Sequence, residues 1–318
     1  MDFGCREDRD RAAVRSAVAE GLPGYRVGSV TPLGEGEDHI AFQVNDELIV
    51  RFGKDRDPEA RAARVSAEAR LLAGVAELSP VPVPEPVFMI AELGCLGYFK
   101  LPGVPLIDMD ASERPSHAPS IAARLGELLR TLHTTPPDRM TGLVEIDDHP
   151  ATAWLEEAAR TYADVAETIP RAHRAAVERF LATTPPDRHG LVFSHNDLGI
   201  EHVLVDPATW TVTGIIDWSD AAIVDPACDF GLIHRDLGTA ALDRALAGYP
   251  ADLDGIEAIR ARAGFYARCG VLEDLAYGLQ DGHRRYLGKS LDALEWLYPA
   301  ARARSTSGQA EDSGSISP

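Results

Sequence analysis

The chain has 318 residues, 45% hydrophobic and 25% charged, which suffices for one large or two moderate globular domains and excludes a disordered polymer. Its formal net charge of −19, from 50 acidic and 31 basic residues, repels a nucleic-acid backbone and favours cationic small molecules near acidic clefts. No run of about 18 apolar residues occurs and no basic-then-apolar leader opens the chain, so neither a membrane span nor a secretory signal is expected.

The apolar stripe Ala13, Val14, Ala17 and Val18 predicts an opening helix over 10–19, stopped near Gly21-Leu22-Pro23-Gly24. Strands are expected over 25–30, 40–44 and 48–52, with a tight polar turn at 33–39 and another at Asn45-Asp46, an antiparallel meander with a glycine-bearing tip. A helix over 59–75 follows, ended by the proline-spaced stretch 80–86, which must be extended. Strands at 87–90 and 97–101 complete this lobe, and Pro102-Gly103-Val104-Pro105 marks the junction. Thereafter the chain turns helical. Residues 120–133 carry Ile121, Leu125, Leu128, Leu129 and Leu132 at helical spacing, and helices are expected over 151–163, 171–181, 237–248, 253–269, 271–286 and 290–297. Short strands are read only at 191–193, 203–205 and 211–216. The fold class is α+β in two lobes: a small antiparallel-sheet N-terminal lobe, 1–101, and a larger, mainly helical C-terminal lobe, 102–303. A nucleotide cleft is expected between them, and 304–318 reads as a disordered polar tail. Cys5, Cys95, Cys228 and Cys269 show no metal-knuckle spacing and suit a reduced, cytoplasmic interior.

The run Ser194-His195-Asn196-Asp197-Leu198-Gly199-Ile200-Glu201-His202-Val203-Leu204-Val205-Asp206, followed by Gly214-Ile215-Ile216-Asp217-Trp218, gathers histidines and acids between short apolar stretches. That is the pattern of a polar reaction loop held at strand ends. A hairpin of 203–205 with 211–216 brings the loop close to Asp217. Asp197 is the candidate to orient an alcohol and accept its proton in phosphoryl transfer, a role needing no large pKa shift because most proton transfer occurs late. Asp217 is the candidate magnesium ligand, since a hard divalent cation prefers anionic oxygen and joins two phosphates. His202 can place a ring nitrogen in the second ligand position, although imidazole is a less typical magnesium ligand. His195 reads as a brace of the loop. On ligand chemistry His195, Asp197 and His202 also suit a zinc hydrolase, but no second histidine-acid cluster completes one.

In the first lobe Arg51, at a strand end, can neutralise nucleotide phosphates, with Glu68 on the next helix orienting it as an ion pair. Gly34 and Gly36 can bring backbone amides to phosphates. Their acidic neighbours Glu35, Glu37 and Asp38 oppose such attraction, and the segment lacks the GK[ST] ending of a Walker A loop.

From Val27 through Leu297 the chain resembles the aminoglycoside phosphotransferase-like kinase family, especially its aminoglycoside 2″- and macrolide 2′-phosphotransferase branches. The resemblance rests on His195 to His202 with Ile215-Ile216-Asp217-Trp218. Asp225-Pro226-Ala227-Cys228-Asp229-Phe230, Leu128-Leu129-Arg130-Thr131-Leu132-His133 and Tyr277-Gly278-Leu279 add to it. It implies a protein-kinase-like fold and transfer of a γ-phosphoryl group to a small-molecule hydroxyl. By this resemblance Asp197 is the catalytic aspartate, His202 and Asp217 are the metal ligands, and Asp229 braces the catalytic core. Arg51 takes the place of a phosphate-contacting lysine, and guanidinium is not equivalent to ammonium. His202 stands where asparagine is usual and marks the branch. The implied cofactors are Mg2+ and ATP or GTP, with a purine-recognising hinge at Phe99-Lys100-Leu101. The implied acceptor is an aminoglycoside or a macrolide, with another hydroxylated metabolite or a nucleoside antibiotic as alternatives. Asp236, Glu273, Asp274 and Asp281 can face a polycationic acceptor or form a solvated helical face. Tyr266, Tyr277, Trp296 and Tyr298 can line an apolar pocket or pack the core. A non-catalytic nucleotide-binding regulator is the competing reading, opened by Arg51 and His202 and opposed by Asp197 and Asp217. Expected partners are the nucleotide and the acceptor, with no nucleic-acid polymer and no membrane, in a monomer or a dimer.

Overall fold

The computed structural model describes residues 3–36, 39–187, 190–250, 255–280 and 282–300. The first lobe opens with α1 (Phe3–Gly21), then the hairpins β1 (Val30–Glu35), β2 (His39–Val44) and β3 (Leu48–Gly53). Next come α2 (Pro58–Leu78), β4 (Pro86–Ile90) and β5 (Cys95–Phe99), giving an antiparallel sheet of order β1-β2-β3-β5-β4. The β2–β3 turn is made by Asn45 and Asp46, with φ of 51° and 62°. Consecutive left-handed residues match the twist of a two-residue hairpin, and Asn and Asp tolerate them best after glycine. Asn45 has a second task. Its side-chain oxygen accepts from the N–H groups of Gly28 and Ser29, while Arg15 donates to the Val27 carbonyl. These bonds hold 25–29 outside the ladder, so the strand expected over 25–30 begins only at Val30. Three of the four stripe residues on α1 are buried, Val14, Ala17 and Val18 at 0% exposure in a core shared with Phe88 and Cys95, whereas Ala13 is exposed. Asp57 caps α2 through the Glu59 N–H and Pro58 fills its first turn.

The junction is not a loose linker. Residues Val104–Pro105 form β6, which pairs with β9 (Val203–Val205), and β9 pairs in turn with β10 (Val212–Ile215). Gly103 has φ of 104°, and a Cβ there would lie 2.4 Å from Thr213 Oγ1 and 2.6 Å from the Val205 carbonyl oxygen. Only glycine fits. A second small sheet joins β7 (Glu145–Ile146), β8 (Val192–Ser194) and β11 (Ala222–Val224) in the order β7-β11-β8. Both sheets aim their strand ends at one place, the loop between β8 and β9.

Around them stand α3 (Arg114–His133), α4 (Ala151–Val165), α5 (Arg171–Leu181), α6 (Ala227–Leu237), α7 (Thr239–Leu246), α8 (Ile256–Gly278) and α9 (Arg284–Leu297). Strands β6, β7 and β11 add to the three short strands expected in this lobe, and two helix expectations also need correction. The helices read at 253–269 and 271–286 are one helix, α8, then α9. Gly270 does not break α8 because Cys269 and Val271 on either side are buried in the core. The helix read at 237–248 is α7 alone, preceded by an unexpected α6. Residues 227–231 and 233–236 are all buried, so α6 shows no polar face from which to read a helical period. The tail at 304–318 lies outside the described residues. Among those described, no helix is long and apolar enough to cross a membrane, and Cys95, Cys228 and Cys269 are buried.

The C-terminal lobe carries a buried ion pair that joins the segment leading into α6 to α8. Asp225 is 0% exposed, Arg262 is 2% exposed, and the Arg262 Nε donates to both carboxylate oxygens at 3.1 and 2.9 Å. Tyr266 Oη and the Ala227 N–H add further donors. Breaking one side of such a pair leaves an uncompensated charge in the core. Arg262→Met is expected to cost about 3–5 kcal/mol in denaturant unfolding, and Arg262→Met with Asp225→Asn should recover part of it. Equal stability of Arg262→Met and the wild type would remove this account.

Candidate active site

Strand β8 delivers Ser194 and His195, the chain turns through Asn196, and β9 begins one residue after His202. Asn196 and Asp217 both lie in the left-handed region, with φ of 65° and 61°. That turn re-aims the chain before Asp197, and the equivalent turn lifts Asp217 from the end of β10. The Ile216 N–H bonds the His202 carbonyl at 3.0 Å, which draws the two segments together. His202 then stands between the acids. Its Nδ1 donates to the Asp197 carbonyl at 2.8 Å and lies 3.2 Å from Asp197 Oδ2, while Nε2 lies 3.7 Å from Asp217 Oδ2. The expected convergence is present.

Charges in this triad depend on one another. Burial pushes Asp197 up to about 6, against the pull of His202. Burial disfavours the charge on His202, yet Asp197, Glu201 and Asp217 outweigh it and raise its pKa. Asp217 is held below the usual carboxylate range; burial opposes this, but His202, the Ser219 hydroxyl and Arg51 prevail.

The loop rests on a buried floor. His195 is 0% exposed and burial drops it to about 3, so it is neutral. Its Nδ1 accepts from the Asp197 N–H at 3.2 Å, which leaves the ring proton on Nε2 to bond the Ile216 carbonyl at 3.0 Å. Both nitrogens are thereby used, and the zinc cluster of His195, Asp197 and His202 does not form. Asp229 accepts the His195 N–H at 2.9 Å; burial raises it to about 7, opposed by the N–H groups of Asn196, His195 and Leu198. His133, from the Leu128–His133 segment, sits below Ser194, at 3.0 Å from its Oγ and 2.8 Å from Tyr249 Oη.

Above the loop a cavity of about 710 Å³ opens under the N-terminal sheet. Gly34, Gly36, Arg51, Lys100 and Leu101 line it, together with Asp217. Arg51 Nη1 meets Glu68 Oε1 at 2.9 Å, as the sequence suggested. Burial opposes the ionisation of both, but their pairing wins: Arg51 is raised and Glu68 lowered, with a hydrogen bond from His39 adding to the effect on Glu68. His39 and Tyr98 escaped the sequence reading. His39 lies 2.8 Å from Arg51 Nη2 and 3.4 Å from Glu68, and Tyr98 bonds Arg51 from the next strand. Phe99 is 46% exposed and outside the cavity, while strand alternation turns Tyr98 inward; Lys100 and Leu101 of the expected hinge line the cavity. The Lys100 N–H is also taken, by the Glu47 carbonyl at 2.8 Å.

Below the loop lies a second cavity, of about 610 Å³. Asp197 stands at its edge, and Asp220 lines both cavities. Its wall carries Asp147, Glu201, Glu273 and Asp274, with Arg235 the cation among its lining residues. Glu273 and Asp274 were foreseen; Asp147, Glu201 and Asp220 were not, having no sequence period to tie them to α8. Asp236 is corrected. It is 6% exposed and lies outside this cavity, its carboxylate occupied by Arg235, Lys289 and the Ile200 N–H. Asp281 lies outside the described residues. Tyr266 and Tyr277 line the cavity beside Trp154, whereas Tyr298 is buried and Trp296 donates to the His234 carbonyl.

The donor set suits a hard cation. Asp217 offers a carboxylate that is 42% exposed toward the upper cavity, and His202 Nε2 faces the same oxygen. Magnesium binds through one or two carboxylates, completing its octahedron with phosphate oxygens and water. Among the described residues no group of three or more His, Cys, Asp or Glu is placed to hold a metal ion.

Residues 29–265 match the model of the phosphotransferase enzyme family, APH. The chain belongs to this family. The viomycin phosphotransferase of Streptomyces vinaceus is 28% identical over 291 residues, 87% of this chain and 96% of the relative. The aminoglycoside 3'-phosphotransferase of Streptomyces fradiae is 31% identical over 196 residues, 57% of this chain and 68% of the relative. The GDP complex of wild-type aminoglycoside 2'-phosphotransferase-IIIa shares the fold with a TM-score of 0.64 at 22% identity, over 89% of this chain and 97% of that one. The two-lobed, kinase-like architecture read from the sequence of this phosphotransferase is therefore its architecture.

Proposed function

We propose that this phosphotransferase moves the γ-phosphoryl group of ATP or GTP, with Mg2+, to a hydroxyl of a polycationic antibiotic of the aminoglycoside type. One observation carries the reading: Asp197 lines a cavity that also carries Asp147, Asp220 and Glu273, and Asp220 lines as well the neighbouring glycine- and arginine-bearing cavity that holds Asp217. Such a wall concentrates cations and repels anions. The names of the viomycin and aminoglycoside relatives agree with an antibiotic acceptor.

In this scheme Arg51, fixed by Glu68, His39 and Tyr98, neutralises the nucleotide phosphates. Asp217 and His202 hold the magnesium ion, which when bound neutralises charge on the phosphates. Asp197 orients the acceptor hydroxyl and takes its proton, and His202 fixes Asp197 through its backbone and side chain together. His195 and Asp229 keep the loop in register.

The test is a mass-shift screen of the full chain with ATP and GTP in parallel, against viomycin, kanamycin, a macrolide and a nucleoside antibiotic. Gain of one phosphoryl group on viomycin or kanamycin is expected. Phosphorylation of the macrolide or the nucleoside alone would overturn the polycation assignment. Tight nucleotide binding with no transfer to any of them would favour a regulatory binding protein.

A further inference from the structure

The geometry points to Lys289 as a positioning residue of the reaction loop: its ammonium, on the last helix, clamps Glu201 of the loop to Asp236 on α6 and Asp274 on α8. Nζ lies 2.9 Å from Glu201 Oε2, 3.2 Å from Asp236 Oδ2 and 2.9 Å from Asp274 Oδ2. The side chain is 3% exposed. A buried ammonium is costly unless it is paired and its protons are matched; here it donates to Glu201 and Asp236, and the Asp274 carboxylate stands beside it as a third counter-charge, each on a different element.

Residue choice supports the assignment. Of 31 cationic side chains only Lys54, Lys100 and Lys289 are lysines. The chain uses arginine almost everywhere, including Arg235 beside this cluster, whose planar fork takes both oxygens of Asp236 at 2.8 and 2.9 Å. A planar fork serves one carboxylate well; a compact ammonium serves three approaching from three directions.

The same helix reaches the loop by a second route. Ile200, between Asp197 and His202, has both backbone groups tied. Its N–H donates to Asp236 Oδ2 at 3.1 Å, the oxygen that Lys289 also holds, and its carbonyl accepts the Ile107 N–H at 3.1 Å. Asp108, next to Ile107, is paired with Arg285, one helical turn before Lys289. Close packing of α9 on α8 keeps both grips in place, since at Gly278 a Cβ would lie 2.3 Å from the Leu287 nitrogen. Helix α9 is thus a clasp over the turn that aims Asp197. The assignment of Lys289 to catalysis rests on the proposed role of Asp197; the clamp itself does not.

The test compares full-length wild type, Lys289→Met, Lys289→Arg, and the charge-balanced pair Lys289→Met with Asp274→Asn, which guards against a single variant that fails to fold. Amide hydrogen exchange of the peptide spanning 197–203 is expected to speed up about 100-fold in the methionine variants, with α3 and β3–β5 unchanged and the arginine variant recovering at least part of the protection. With an acceptor that turns over, kcat should fall about 100-fold while the nucleotide KM stays within about threefold. Unchanged loop exchange in the folded double variant overturns the clamp, as does an even loss of protection across the whole lobe. If no acceptor turns over, the proposed function fails and the exchange result still decides the clamp.

Discussion

Asp197→Asn is expected to lower kcat by about 10²–10⁴-fold, the range for removing a positioned general base, with nucleotide affinity nearly unchanged. Asn keeps the size of the side chain and one acceptor oxygen, and the His202 bond to the backbone carbonyl of residue 197 does not depend on that side chain. What is lost is the group that takes the hydroxyl proton. Thermal stability should not fall. Burial raises Asp197 to about 6, above the ordinary aspartate value, so the folded protein disfavours its charge at pH 7 and gains nothing from it. A variant that loses activity together with fold would therefore contradict this account.

The same raised pKa sets a pH profile. The proton acceptor must be ionised, so wild-type kcat should be level above about 6 and fall as pH drops through that value. In Asp197→Asn this acid limb should vanish from whatever activity remains. Measuring both profiles with one acceptor separates Asp197 from His202, because only a limb that belongs to Asp197 is abolished by the substitution. An unaltered acid limb in the variant would move the titrating group elsewhere.

The legible parts of this chain were those with local patterns. The Asn45-Asp46 turn, the apolar stripe of α1 and the short runs flanking the reaction loop each depend on neighbours within a few residues. The convergence of Asp197, His202 and Asp217 was also readable, because a hairpin between two short apolar runs leaves few ways to place them. Helix α6 was hidden for the opposite reason: it is buried nearly all round, so no alternation of polar and apolar residues reveals its period. Asp236 was misread because an acid on a helix looks the same whether it meets solvent or a buried ammonium 53 residues away. Tyr98 and Phe99 differ by one strand position, and the face each takes depends on register, which composition does not fix. His39, Asp147 and Asp220 each become part of a cavity wall only through contacts between distant elements.

Asp217 offers the second large effect, with a control that isolates charge from backbone strain. Its φ of 61° lies where a β-carbon residue is strained unless it is Asn or Asp. Asp217→Asn keeps that tolerance and can keep the contact with Ser219, so the end of β10 should hold its shape. It removes the anionic oxygen that faces the upper cavity and His202 Nε2. Metal-assisted charge stabilisation supplies several kcal/mol, and about 1.36 kcal/mol is tenfold in rate, so kcat/KM should fall by about 10³-fold. Calorimetric titration with nucleotide gives a readout independent of turnover: the gain in affinity that magnesium confers on the wild type should be largely absent in Asp217→Asn. Affinity without magnesium should rise or stay level, because a carboxylate that repels phosphates has gone. Asp217→Ala should show the same loss of magnesium dependence and, in addition, a lower Tm, since alanine carries the left-handed strain that asparagine escapes. Equal magnesium dependence in wild type and Asp217→Asn would remove Asp217 from the metal site.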